Sequence, residues 1–189
     1  MNWLLILPPV WAWIVLEVVL SVRDVVRRKG SIANDRGTRI AITFGLVVAY
    51  GAAVVAALLV RQQAWLMLGS WHLITGEIIA WAGLAIRIWS IIVLGRSFRL
   101  TVEVDSDQAI VDRGPYRWVR HPSYTGLLIL AIGFGIALGN WLSVAILIVL
   151  PPIVILRRIR VEEAQLIAVM GQPYVDYSKR TKRLVPGIW

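Results

Sequence analysis

The placement of twenty basic residues around long apolar runs limits what this 189-residue chain can fold into more than any other feature. Six of them (Arg23, Arg27, Arg28, Lys29, Arg36, Arg39) follow the first apolar run and one (Arg61) follows the second. Five (Arg96, Arg99, Arg113, Arg117, Arg120) follow the third, and none lies in Gly139-Asn140. Seven (Arg157, Arg158, Arg160, Lys179, Arg180, Lys182, Arg183) lie beyond the fifth, and Arg87 makes the twentieth. Short loops rich in lysine and arginine stay on the cytoplasmic side of a membrane. The alternation therefore predicts five spans, an outside N-terminus and a cytoplasmic C-terminus. The expected fold is all-α, a polytopic membrane helix bundle of about five transmembrane helices with a cytoplasmic C-terminal helical segment. It forms one membrane domain over 1–189, with three spans in 1–94 and a polar loop, a helical hairpin and C-terminal helices in 95–189.

Composition agrees with this reading: 58% of the residues are hydrophobic, against about 45–50% in soluble domains. The net charge of +9 could suggest nucleic acid, but the bases are dispersed among loops and form no single patch. No nucleic-acid partner is expected; the bilayer is. The absence of cysteine excludes disulfides, thiolate nucleophiles and cysteine metal sites. His72 and His121 lack ligand spacing, so no metal is expected. Met1 to Leu20 has no basic leader region and no small-residue cleavage site, and reads as a retained first span.

The spans are expected at about Trp3–Val22, Ile40–Val60, within Leu73–Leu94, Pro122–Leu138 and Trp141–Leu156. Pro8-Pro9 should bend or delay the first helix, and Glu17 inside it should face the bundle. Arg87, about two turns from the inner end of span three, is expected to snorkel. Thr101 to Val104 alternates like a short extended segment before a turn at Asp105 to Asp107. Gly133 to Gly139 looks at first like a dinucleotide fingerprint, yet no strand precedes it, and its spacing is that of small residues letting membrane helices approach. Gly139-Asn140 forces spans four and five into an antiparallel hairpin. Pro151-Pro152 should kink span five. From Ile153 a helix should run to Met170, with Gly171 as its stop, and Pro173 should open a short helix with Tyr174 and Tyr177.

One polar island stands between two apolar runs: Arg113 to Gly126 holds three arginines, a histidine and three aromatics. Pro122, with φ preset and no N–H, opens a helix there, and a helix start offers N–H groups to a carboxylate or phosphate. A membrane-interface anchor is the competing reading. The charge alternation brings the island and the charged stretch Arg157–Glu163 to the same face, at the two ends of one hairpin. His121, Tyr124, Arg158 and Glu162 then become neighbours, which favours a pocket over an anchor.

Arg120-His121-Pro122-Ser123-Tyr124-Thr125-Gly126, followed by Arg158, Glu162-Glu163, Gly171-x-x-Tyr174-x-x-Tyr177 and Arg183-Leu184-Val185-Pro186, resembles the isoprenylcysteine carboxyl methyltransferase family. The likeness runs from about Thr101 to the C-terminus. It implies an integral-membrane enzyme using S-adenosylmethionine, bound between the inner end of the hairpin and the C-terminal helix. By match to the family motif, Tyr116, His121, Pro122, Ser123, Tyr124 and Glu162 contact the cofactor and Arg158 holds a lipophilic methyl acceptor. Gln108-Ala109-Ile110-Val111 also line that site by the same match. Gln108 stands where the family usually has histidine, so backbone contacts at Ile110 or Val111 are the ones expected to survive. Carboxyl O-methylation of an isoprenylcysteine-like acceptor is the leading expectation. Phospholipid N-methylation, small-thiol S-methylation, a membrane NADPH-dependent reductase and a non-enzymatic scaffold are the alternatives.

Overall fold

The computed structural model describes residues 8–27, 37–60, 71–95, 98 and 110–189, and its described secondary structure is helical apart from one isolated bridge. The helices are α1 (Pro8–Arg27), α2 (Thr38–Leu59), α3 (Trp71–Leu94), a 3-10 turn at Gly114–Arg117, α4 (Pro122–Ala137), α5 (Trp141–Met170) and α6 (Gln172–Arg180). The expected extended segment at Thr101 to Val104, the turn after it, Gln108 and Ala109 lie outside the described residues, as do Met1 to Leu7. Helix α1 is described from Pro8 onward and runs five residues past the expected end of span one.

Three described helices, α2, α3 and α5, are long and apolar enough to cross a membrane, with mean hydropathies of 2.3, 1.8 and 2.2. Helix α1 is interrupted by Glu17, Arg23 and Asp24. Helix α4 has 16 residues, about 24 Å at 1.5 Å per residue, against a hydrocarbon core of about 30 Å. Spans one and four are thus weaker spanning segments than the charge alternation implies.

Small residues fix how α3 and α4 meet. A Cβ on Gly83 would lie 2.4 Å from the Leu130 nitrogen, and one on Gly133 the same distance from the Ala80 nitrogen. Gly76 is as tight against the Ala137 nitrogen, and a Cβ on Gly126 would lie 2.6 Å from the Gly83 carbonyl oxygen. The two backbones touch along their length, which is how membrane helices gain contact when lipid is as apolar as leucine.

Helices α4 and α5 form the expected hairpin. Gly139 takes φ 66°, a conformation that glycine adopts without strain, and the Asn140 side chain caps α5 by accepting from the Leu142 and Ser143 N–H groups at 2.9 and 3.1 Å. Its amide also donates to the Val60 carbonyl, tying the hairpin to the end of α2. Pro151 and Pro152 sit inside α5 without ending it, so span five and the expected C-terminal helix are one 30-residue element stopped at Gly171. At one end Ser143 Oγ donates to the Ala53 carbonyl, and at the other Arg158 Nη1 donates to Thr38 Oγ1, both at 2.7 Å, so α2 and α5 lie antiparallel. Between them, Ala53, Leu130, Ala131, Phe134 and Leu147 fill a solid core away from the charged end.

Candidate active site

The start of α4 is built by its neighbours in sequence and by the far C-terminus. Val119 and Lys182 form a parallel bridge in which the Lys182 N–H donates to the Trp118 carbonyl at 3.1 Å, and the Arg120 and His121 N–H groups donate to the Lys182 and Arg183 carbonyls at 2.7 and 3.0 Å. Thr125 Oγ1 donates to the Leu184 carbonyl. The Tyr124 and Thr125 N–H groups both close back on the His121 carbonyl. This departs from the sequence expectation of a helix start with free N–H groups: His121 spends its donor on the tail, Pro122 has none, and the next turn is closed internally. Among the described residues only Ser123 keeps an amide without a partner at that first turn.

Glu163, which sequence reasoning passed over in favour of its neighbour, is the hub of the charged cluster. Its carboxylate accepts from Arg120 Nε at 3.0 Å, from Arg183 Nε at 3.0 Å and Nη2 at 2.9 Å, and faces His121 Nε2 at 3.3 Å. Arg120 further donates to the Ser178 and Thr181 carbonyls. Island, long helix and C-terminal tail are therefore bound through one carboxylate. The other side of the His121 ring lies 4.0 Å from Glu162. Tyr124 Oη donates to Glu162 Oε2 at 2.9 Å and accepts from Arg158 Nε at 3.3 Å. Arg158 and Glu162 are thus linked through the Tyr124 phenol.

These side chains line one cavity of about 950 Å³, near the upper limit of about 1,000 Å³ for small-molecule sites. Of the expected site residues, Ile110, Val111, Tyr116, His121, Ser123, Tyr124, Arg158 and Glu162 are in its wall. Pro122 is fully buried and absent from the wall; its place is the first turn of α4. Tyr174, also in the wall, has a buried hydroxyl with no hydrogen-bond partner among the described residues. Leaving such a group unpaired costs about 1–3 kcal/mol. Tyr177 Oη donates to the Tyr116 carbonyl at 2.7 Å and so docks α6 on the 3-10 turn. Burial pushes its phenol up to about 12, against the opposing pull of Arg120, so it remains a donor at neutral pH.

Deeper in the cavity, Arg87 does not snorkel. It is 3% exposed, and its guanidinium donates to Glu17 Oε1 at 2.8 Å and to Ser123 Oγ at 2.7 Å. Trp13 Nε1 donates to the same Glu17 oxygen at 2.9 Å. Buried charges need partners, and here α1, α3 and α4 supply them to one another. Much of the apolar wall comes from α1 and α2, where Ile40 and Phe44 line the cavity while remaining exposed, and Val15 and Val19 face away from it. A signal for Glu163 was present in the sequence, since Glu162-Glu163 face adjacent sides of α5. The signal for the Arg87–Glu17 pair was two charges inside apolar runs, each answering the other.

Comparisons with known proteins point to one family. Residues 74–168 match the isoprenylcysteine carboxyl methyltransferase family. The protein-S-isoprenylcysteine O-methyltransferase of Tribolium castaneum is 33% identical over 108 residues, which cover 56% of this chain and 38% of that protein. The B form from Arabidopsis thaliana is 32% identical over 143 residues, covering 74% of this chain and 69% of the plant protein. The Saccharomyces cerevisiae protein is 38% identical over 96 residues, 50% and 40% of the respective chains. A solved structure of a eukaryotic intramembrane Ras methyltransferase of the same description superposes with a TM-score of 0.66 at 28% identity, covering 76% of this chain and 52% of the other. This chain thus spans less than half the length of the insect and yeast relatives and about two thirds of the plant one. The family match takes in α3 to α5 and leaves out α1, α2 and α6.

Proposed function

This chain belongs to the isoprenylcysteine carboxyl methyltransferase family, and from that premise we propose that it is an integral-membrane enzyme that methylates the carboxyl group of an isoprenylcysteine-like lipid acceptor with S-adenosylmethionine. The observation that carries the reading is a single cavity with a charged end and an apolar arm. One end suits a zwitterionic cofactor; the other suits a lipid tail. The relatives' names, which specify protein-S-isoprenylcysteine, support the same acceptor class.

When bound, S-adenosylmethionine supplies an electrophilic methyl group on a positively charged sulfur. The protein's part is placement and exclusion of water. A carboxylate is already ionised at neutral pH and needs no general base, so no proton has to be removed. Arg158, buried at 3% exposure and held by Thr38 and Tyr124, is the group that aligns the acceptor carboxylate, since a guanidinium grips two oxygens in one plane. Glu162 faces the cavity with its carboxylate steadied by the Tyr124 hydroxyl, and takes the cofactor's ammonium. Ser123 N–H and the positive end of α4 take its carboxylate, and the unpaired Tyr174 hydroxyl offers one more contact. Backbone at Ile110 and Val111 lies in the same wall. Walls contributed by α1, α2 and α6 keep the reacting groups poorly solvated, which strengthens alignment and charge interactions.

The basic loops place this charged end at the cytoplasm, with the N-terminus outside. The test is titration calorimetry of detergent-solubilised protein with adenosylmethionine, followed by an acceptor screen with labelled methyl donor. Saturable binding and a base-labile methyl ester are expected. No binding would overturn the methyltransferase reading, and an alkali-stable product would move it to N- or S-methylation.

A further inference from the structure

The apolar arm of the cavity has a definite depth. Its wall on α2 runs from Arg39 to Tyr50 and on α1 from Val10 to Ser21, each about 16 Å at 1.5 Å per residue. Past Tyr50 no residue of α2 lines it, and past Leu127 none of α4 does. What lies there is a row of rings. Trp13 stacks on Tyr50 at 5.3 Å between centroids, and Tyr50 stacks on Phe134 at 5.2 Å. Behind the row, Ala53, Leu130 and Ala131 are all 0% exposed. The far half of the bundle is packed solid, and the rings are the face that it presents to the cavity.

We infer that Trp13 and Tyr50, backed by Phe134, form a stop that sets the longest lipid tail this site accepts, at about the depth of one bilayer leaflet. The inference rests on the lipid-acceptor reading above and adds to it a limit on tail length. Three observations carry it. The arm's depth of about 16 Å matches half of a hydrocarbon core of about 30 Å. The stop is rigid, because offset-stacked rings backed by a fully packed core cannot yield without opening a void. Tyr50 is 9% exposed and Phe134 2%, so the row is anchored from behind. Both Trp13 and Tyr50 lie outside the stretch matched to the family.

The experiment measures kcat/KM for N-acetylcysteine carrying two, three or four isoprene units on sulfur, with the wild-type chain and with Tyr50→Ala, Trp13→Leu and Tyr50→Phe. Wild-type activity should rise with tail length to an optimum and then fall. Removing the ring in Tyr50→Ala should raise the ratio of longer-tail to optimum-tail kcat/KM by about tenfold or more, the scale of a misfit in an apolar pocket. Trp13→Leu, which also removes a hydrogen bond to Glu17, should move the same ratio in the same direction, and Tyr50→Phe should keep the wild-type order of tails. Adenosylmethionine binding by each variant reports that it is folded. Equal scaling of all tails in variants that bind adenosylmethionine would overturn the stop. Failure of the wild-type protein to methylate any of the three would overturn the acceptor reading instead.

Discussion

Within about 4 Å of the His121 ring stand two carboxylates with different work to do. Glu163 is saturated by Arg120 and Arg183, while Glu162 is 30% exposed in its side chain and shares its charge with a phenol. The first holds the site's frame and the second is available to a ligand. Glu163→Ala would leave two arginines and a histidine without their counter-charge. Breaking a buried pair from one side costs about 3–5 kcal/mol, so a clear fall in the thermal unfolding midpoint in detergent is expected. Arg158→Ala should leave adenosylmethionine binding near wild type by calorimetry and lower kcat/KM for the acceptor about 100-fold, the scale of a lost charged hydrogen bond of ~3 kcal/mol. Arg158→Lys should restore little, because an ammonium offers no planar fork. Retained acceptor turnover in Arg158→Ala would remove that residue from the role given to it.

At the scale of elements, the seam between α3 and α4 is the tightest contact in the bundle, and it carries Arg87 and Ser123 at its charged end. Gly83→Val would drive a side chain into the Leu130 backbone and should cost about 1–3 kcal/mol from overpacking, read as a lower unfolding midpoint together with weaker adenosylmethionine binding. The Asn140 cap is local by comparison. Asn140→Ala should cost about 1 kcal/mol with little change in adenosylmethionine affinity, since it lies at the opposite end of the hairpin from His121. The glycine spacing in Gly133 to Gly139 was readable as a packing surface because small residues have one use in lipid. The partner helix was not, because nothing in α4's own spacing says whether Gly76 and Gly83 or the alanines of α2 will face it.

The molecule as a whole joins a soluble-like charged end to a membrane bundle, and loop charge predicts that this end faces the cytoplasm. Because the chain has no cysteine, single cysteines report sidedness cleanly. Lys182→Cys should react with an impermeant maleimide only after the inner face is opened, and Trp71→Cys should react from outside; the reverse pattern would invert the topology. Periodicity, loop charge and the Arg120–Gly126 and Arg158–Glu163 motifs determined by themselves that the chain is a helical membrane protein with a candidate site at one end of the α4–α5 hairpin. Local chemistry suffices for that, because hydropathy and turn residues act over a few positions. Tertiary structure alone decided that Arg87 meets Glu17 instead of reaching for the interface, that Glu163 is the hub, and that Trp13 and Tyr50 close the arm. Each of these depends on residues 37 to 70 positions apart in sequence, or about 20 for Arg183 and Glu163, and only the packing of helices in three dimensions determines which buried charge or ring finds which partner.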